Sequence, residues 1–163
     1  MERVREIYKE QHPFAVILSC SDSRVPPEVI FDEGLGDLFV IRVAGNVADE
    51  VVMGSIEYAA KYLAAPLVLV MGHEHCGAVH AALEPGEYGE NINRIIEKIA
   101  PAVEKTKSLP GDHYHNAVVE NIKIVKTILE EDPELKPFVM EGKLKIVSGI
   151  YNLGTGEVEI FTD

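Results

Sequence analysis

Hydrophobic residues fall along this chain in two alternating patterns. Short, largely apolar runs at 14–19, 38–43 and 67–71, broken only by Ser19 and Arg42, are rich in Val, Ile and Leu and too short for a helix of ordinary length. Such runs predict strands buried on both faces, as in a parallel sheet. Between them, apolar positions recur every three or four residues. Val52, Ile56, Ala59, Ala60 and Leu63 trace one face of a helix over 49–63, with Asp49 as its N-cap. Further helices are predicted over 77–83, 92–106 and 115–130, the first stopped by Pro85 and Gly86 and the last two separated by the SLPGD break. A short helix is predicted over 4–10, and another starts at Glu28 behind Pro26 and Pro27. A fourth strand is expected over 144–148, and a last one over 158–161 after the NLGTGE turn. Strands alternating with helices imply an α/β fold: a mostly parallel central sheet flanked by helices, with right-handed crossovers and a C-terminal edge strand.

Composition narrows the class without naming a function. A length of 163 residues, 47% of them hydrophobic, fits one globular domain over 1–163, with 1–13 as a short N-terminal helical arm. The formal charge of -12, with no basic cluster to offset it, argues against nucleic acid, whose phosphates would be repelled. No run approaches the roughly 18–20 apolar residues that cross a membrane. The opening MERVREIYKEQ is charged and amphipathic, unlike a secretory leader, so a cytoplasmic location is expected. There the thiols of the chain's two cysteines stay reduced, which favours a metal or inert burial over a disulfide.

Both cysteines sit where such a fold keeps its chemistry. Cys20 closes the first apolar run, and the third run leads straight into His73 and then Cys76. Ligands of open α/β sheets bind outside the carboxyl ends of strands. Two thiolates and one imidazole make the three-ligand set of a catalytic zinc site that keeps a fourth position open. His75 lies between these residues and competes with His73, which is preferred because it comes first after the strand. The HExxH protease helix is absent, since Gly77 stands where its second histidine would be. The zinc-deaminase pattern is absent too. Only three residues separate Cys20 from Arg24, too few for the phosphate cradle of a thiol phosphatase. His12, His80, His113 and His115 read as solvent or packing residues rather than ligands.

In this order, CSDSRVPPE, GDLFVIRVAGN, SIEYA, GHEHCGAV and IYNLGTGEV resemble the β-class carbonic anhydrases over almost the whole chain, from Phe14 to Phe161. The resemblance implies a zinc lyase that reversibly hydrates CO2 to bicarbonate and a proton. It makes Cys20, His73 and Cys76 the ligands of one Zn2+ per chain, and Asp22 and Arg24 a catalytic dyad that orients the zinc-bound hydroxide. It also implies self-association as a dimer or dimer of dimers. A close arginine lowers a carboxylate pKa by roughly 1–3 units, so Arg24 would hold Asp22 ionised. One branch of the family carries a tryptophan three residues before the first cysteine, as part of a bicarbonate-regulated site. Ile17 stands there in this chain, which has no Trp, and Arg42 alone does not make that site.

Two other readings stay open at this stage. The same zinc scaffold could hydrolyse CS2 or COS, because the entrance rather than the ligands would set that choice. A non-catalytic zinc- or anion-binding module would carry a fourth protein ligand, and the intact Asp22–Arg24 pair argues against it. With so little N-terminal cover, apolar surface would stay exposed on a single chain. An isologous dimer would bury it, with 43–47 approaching a small apolar pocket.

Overall fold

The computed structural model describes residues 2–84 and 86–162. Its centre is a five-stranded sheet in the order β2-β1-β3-β4-β5, formed by β1 (Ala15–Ser19), β2 (Leu38–Arg42), β3 (Leu67–His73), β4 (Lys145–Tyr151) and β5 (Val158–Ile160). The first four strands run parallel and β5 is antiparallel to β4. Every residue of β1 is buried, as its largely apolar run requires. From β1 the chain passes to β2 on one side and then returns to β3 on the other. That reversal is the switch point at which open α/β sheets leave a crevice.

The helices are α1 (Glu2–Glu6), α2 (Pro27–Ile30), α3 (Glu50–Tyr62), α4 (Gly77–Leu83), α5 (Glu90–Thr106), α6 (His113–Glu131) and α7 (Lys136–Met140). Buried residues of α3, α4, α5 and α6 share one core with Val16, Leu18, Val68 and Val70 of the sheet. Alternation sends Ala15, Ile17, Leu69 and Met71 to the opposite face, where Ile30, Phe31 and Leu38 are among the thin cover. A hollow of about 480 Å³ lies over that face, lined in part by Phe14, Phe31, Leu69 and Ile160.

Local chemistry sets most boundaries where the pattern places them. Asp49 caps α3 by accepting from Val51 N and Val52 N at 3.0 and 2.8 Å, a bond worth about 1 kcal/mol to a helix. Asp112 caps α6 in the same way, through Tyr114 N and His115 N, which starts that helix at His113 rather than His115. Other differences have tertiary causes. α1 ends at Glu6 instead of reaching Glu10, and it buries nothing that would prolong it. β3 runs on to His73 and β4 to Tyr151, because their pairing continues to the register His73↔Tyr151. α7 has only five residues, too few to show a period; Asp132 Oδ1 accepts from Glu134 N and Leu135 N just ahead of it. Gly72 is required by packing: a Cβ there would come within 2.5 Å of Ile122 Cδ1, so α6 lies directly on β3.

Candidate metal centre

Three elements deliver three donors to one point. Cys20 follows β1, His73 ends β3, and Cys76 is the residue before α4. Because β1 and β3 are neighbours in the sheet, their carboxyl ends meet at the switch point. The two sulfurs and a ring nitrogen of His73 all lie within 4.8 Å of one another, and the sulfurs are 3.9 Å apart. The residues are 5%, 1% and 1% exposed, which rules out a chance surface cluster. Among the described residues no other group of three or more such donors exists.

The arrangement fits a metal ion on its own chemistry. A carbonyl oxygen only accepts, so the 2.7 Å contact of His73 Nδ1 with Glu74 O places the imidazole proton on Nδ1. Nε2 then carries a lone pair, and it is buried with no hydrogen-bond partner. Such an orphan costs about 1–3 kcal/mol unless something meets it. Two sulfurs and one imidazole nitrogen suit Zn2+, and three protein donors leave a fourth position free.

Without a cation the thiols compete for charge. The Cys20 thiol is lowered, chiefly by the Cys76 S–H, against the cost of burial and with help from His73 and the Gly45 N–H at 3.3 Å. Cys76 is raised by its contact with Cys20 and by burial. The pair therefore gives up one proton readily and holds the second. Burial disfavours a charged His73 imidazole, but Cys20 and Asp22 outweigh it and raise its pKa. A divalent cation satisfies both thiolates and the ring nitrogen together.

Beside this triangle, Arg24 grips Asp22 with its guanidinium and its own backbone. Nε and the backbone N–H of Arg24 donate to Asp22 Oδ1, both at 2.9 Å, and Nη2 donates to Oδ2 at 2.7 Å. The Arg24 bonds outweigh desolvation and hold the carboxyl well below the usual carboxylate range. Oδ2 receives the single bond, and it lies 3.9 Å from His73 Nε2. The sequence-predicted ligands and the Asp22–Arg24 pair are thus in one place. His75 is not with them. Its backbone is left-handed with φ 52°, its ring stacks on Tyr114 at 6.3 Å, and its carbonyl accepts from Arg24 Nη2.

Several positioning contacts had no signal in the sequence. Arg42 Nε donates to Cys20 O at 2.9 Å and Nη2 to Asp22 O. Its guanidinium thus holds the CSD loop by two main-chain carbonyls. Tyr114 Oη donates to Cys76 O, and burial foremost raises its pKa, so the phenol stays a donor. Segment 43–47 reaches the centre at Gly45, whose carbonyl accepts from Asn121 Nδ2 at 2.9 Å. Gly45 has φ 72°, and a Cβ would come within 2.8 Å of Ile99 Cδ1, so only glycine fits. Only the AGN turn hinted at this role. The HYH pair at 113 and 115 forms part of the start of α6 and joins no such donor group.

Comparison with known proteins agrees with the geometry. The family profile described as carbonic anhydrase matches residues 15–158. The carbonic anhydrase of Mycolicibacterium smegmatis is 37% identical over 98% of this chain and 80% of its own length. Carbonic anhydrase 2 of Mycobacterium tuberculosis is 38% identical over 90% and 73%, respectively. Among solved structures, the β-carbonic anhydrase CcaA aligns with a TM-score of 0.88 at 31% identity, over 99% of this chain and 85% of that one. A structure from work on two tetrameric β-carbonic anhydrases of Sordaria macrospora aligns with a TM-score of 0.90, over 98% and 85%. At 22% identity, that likeness concerns the fold.

Proposed function

The chain belongs to the β-class carbonic anhydrase family, and on that premise we propose that it catalyses the reversible hydration of CO2 to bicarbonate and a proton, with Cys20, His73 and Cys76 holding one Zn2+. The observation that carries this reading is the buried Cys–His–Cys triangle with Asp22 Oδ2 3.9 Å from the orphaned His73 Nε2. When bound, zinc would act as a Lewis acid and lower the pKa of a water from about 15.7, less far beside two thiolates than the value of about 7 reached with three neutral histidines, supplying a nucleophile.

The chain's own groups do the rest. Asp22 stays ionised, so its Oδ2 accepts a hydrogen bond from the nucleophilic water and donates none, which sets the direction of the remaining lone pair. Arg24 keeps both carboxylate oxygens engaged and holds Asp22 off the metal. Three protein donors, rather than four, support catalysis over a closed binding module. The test measures metal content and CO2 hydration on one preparation. One zinc per chain with hydration well above the uncatalysed rate is expected. A fully zinc-loaded protein that leaves CO2 untouched rejects the activity.

Self-association belongs to the same reading. Val29, Leu35, Val51 and Tyr62 are large apolar side chains left 64–77% exposed on the single chain. Tyr58 and Tyr62 also line a cleft of about 660 Å³ against residues 7–12 of the N-terminal arm. An isologous dimer, or a dimer of dimers, would cover these positions. Light scattering should therefore give at least twice the 18.0 kDa of one chain. A fully active species at that single-chain mass would refute it.

A further inference from the structure

The turn between β4 and β5 takes no part in the centre as described, yet it reaches it. Asn152 shapes this turn: its Oδ1 accepts from Gly154 N at 2.8 Å and from Thr155 N at 2.9 Å. The same side chain donates through Nδ2 to Glu74 Oε1 at 3.4 Å, and Leu153 N donates to Glu74 Oε2 at 3.2 Å. Glu74 N–H donates to Tyr151 O at 3.2 Å. Main chain and side chain of Glu74 are therefore both fastened to the end of β4. What this fastening places is the Glu74 carbonyl, the acceptor for His73 Nδ1.

We propose that Glu74 is a positioning residue of the metal centre. Its carboxylate, gripped by Asn152 and Leu153, holds the Glu74 carbonyl where it sets the tautomer of His73 and aims Nε2 at the ion. The proposal rests on the reading of Cys20, His73 and Cys76 as the ligand set. A partner on the far nitrogen of a ligating histidine fixes ring orientation, and losing such support costs about 10–100-fold in metal affinity. Here the partner is a backbone carbonyl that no substitution removes, so the side chain steadying it is the point of control. Glu74 follows the last residue of β3, where the chain leaves the sheet ladder toward Cys76. Beyond that point side-chain anchors must replace strand pairing. The carboxylate is held toward the turn by two N–H donors, which makes it an anchor and no reacting group.

The test compares zinc affinity, by competition with a chromogenic chelator, in the intact protein and in Glu74→Ala, Glu74→Gln, Asn152→Ala and the Glu74→Ala/Asn152→Ala double variant. Glu74→Ala is expected to bind zinc about 10–100-fold more weakly. Glu74→Gln keeps an acceptor for Leu153 N but turns its NH2 on Asn152 Nδ2, so it should recover part of the affinity. The double variant should be no weaker than Glu74→Ala, because both changes release one anchor. The visible bands of the cobalt-loaded protein should shift in Glu74→Ala and return partway in Glu74→Gln. Wild-type affinity and bands in Glu74→Ala overturn the proposal, even if its melting temperature falls. Equal weakness of the Ala and Gln variants overturns it too, since the anchor that Gln keeps at Leu153 N would then count for nothing. If Glu74→Ala does not fold, Asn152→Ala carries the same test. A wild-type chain that holds no zinc refutes the ligand set itself and takes this proposal with it.

Discussion

Replacing Cys20 by serine, His73 by alanine or Cys76 by serine is expected to strip zinc from the protein and bring CO2 hydration down to the uncatalysed rate. Changes outside the ligand set already cost about 10–100-fold in metal affinity, so loss of one of three protein donors should cost more than 100-fold. Each substitution also leaves its neighbours in difficulty. Without Cys76, the Cys20 thiolate loses the contact that contributes most to its lowered pKa. Without His73, the two sulfurs 3.9 Å apart confront each other with a cavity beside them. His75→Ala is the control. Its ring stacks on Tyr114 and takes no place in the donor group, so zinc and most of the activity should remain. Metal analysis decides the matter. Complete zinc loss in His75→Ala, with retention in His73→Ala, would reverse the ligand assignment.

Asp22→Asn is expected to keep its zinc and lose about 100-fold or more of its turnover, within the span usual for a positioned proton acceptor. The carboxylate oxygens face only donors: two N–H groups at Oδ1 and one at Oδ2. An amide must point its NH2 at one of these sites. With its oxygen kept at the doubly bonded position, the NH2 replaces Oδ2, collides with Arg24 Nη2 and presents hydrogens toward the His73 side. Water there then meets a donor where an acceptor stood. Arg24→Ala should be almost as harmful by another route, because Asp22 loses the partner that fixes both oxygens and becomes free to swing onto the metal. Steady-state CO2 hydration on zinc-replete protein is the measurement. Near wild-type turnover in Asp22→Asn would remove Asp22 from the reaction while leaving the metal centre intact.

Much of this was legible in the chain before any coordinates. Largely apolar runs showed β1, β2 and β3. The first and nearly all of β3 are buried on both faces and have few polar positions to spare, while β2, at the sheet edge, is half-buried and carries Arg42. The caps Asp49 and Asp112 follow from short-range hydrogen bonding, and the first was read directly. The candidate site was legible because its donors are rare residue types at strand ends: both cysteines and a histidine. The motif order from CSDSRVPPE to IYNLGTGEV placed the chain in its family.

What the sequence left open was decided by contacts between distant segments. Spacing alone put His73 and His75 in competition. The register His73↔Tyr151 carries β3 two residues beyond its apolar run, and the left-handed backbone at His75 turns that side chain away. Arg42, Tyr114 and Glu74 hold the site through main-chain carbonyls, and a carbonyl is the same at every residue, so no side-chain pattern announces such an acceptor. The β4–β5 turn reaches Glu74 from 78 positions along the chain, through Asn152. Local sequence determines which segments become strands and helices and which donors they carry, because those choices rest on neighbouring residues. Only the packed sheet brings β1 beside β3 and the last turn beside the end of β3, because strand order and register are set by burial over the whole molecule.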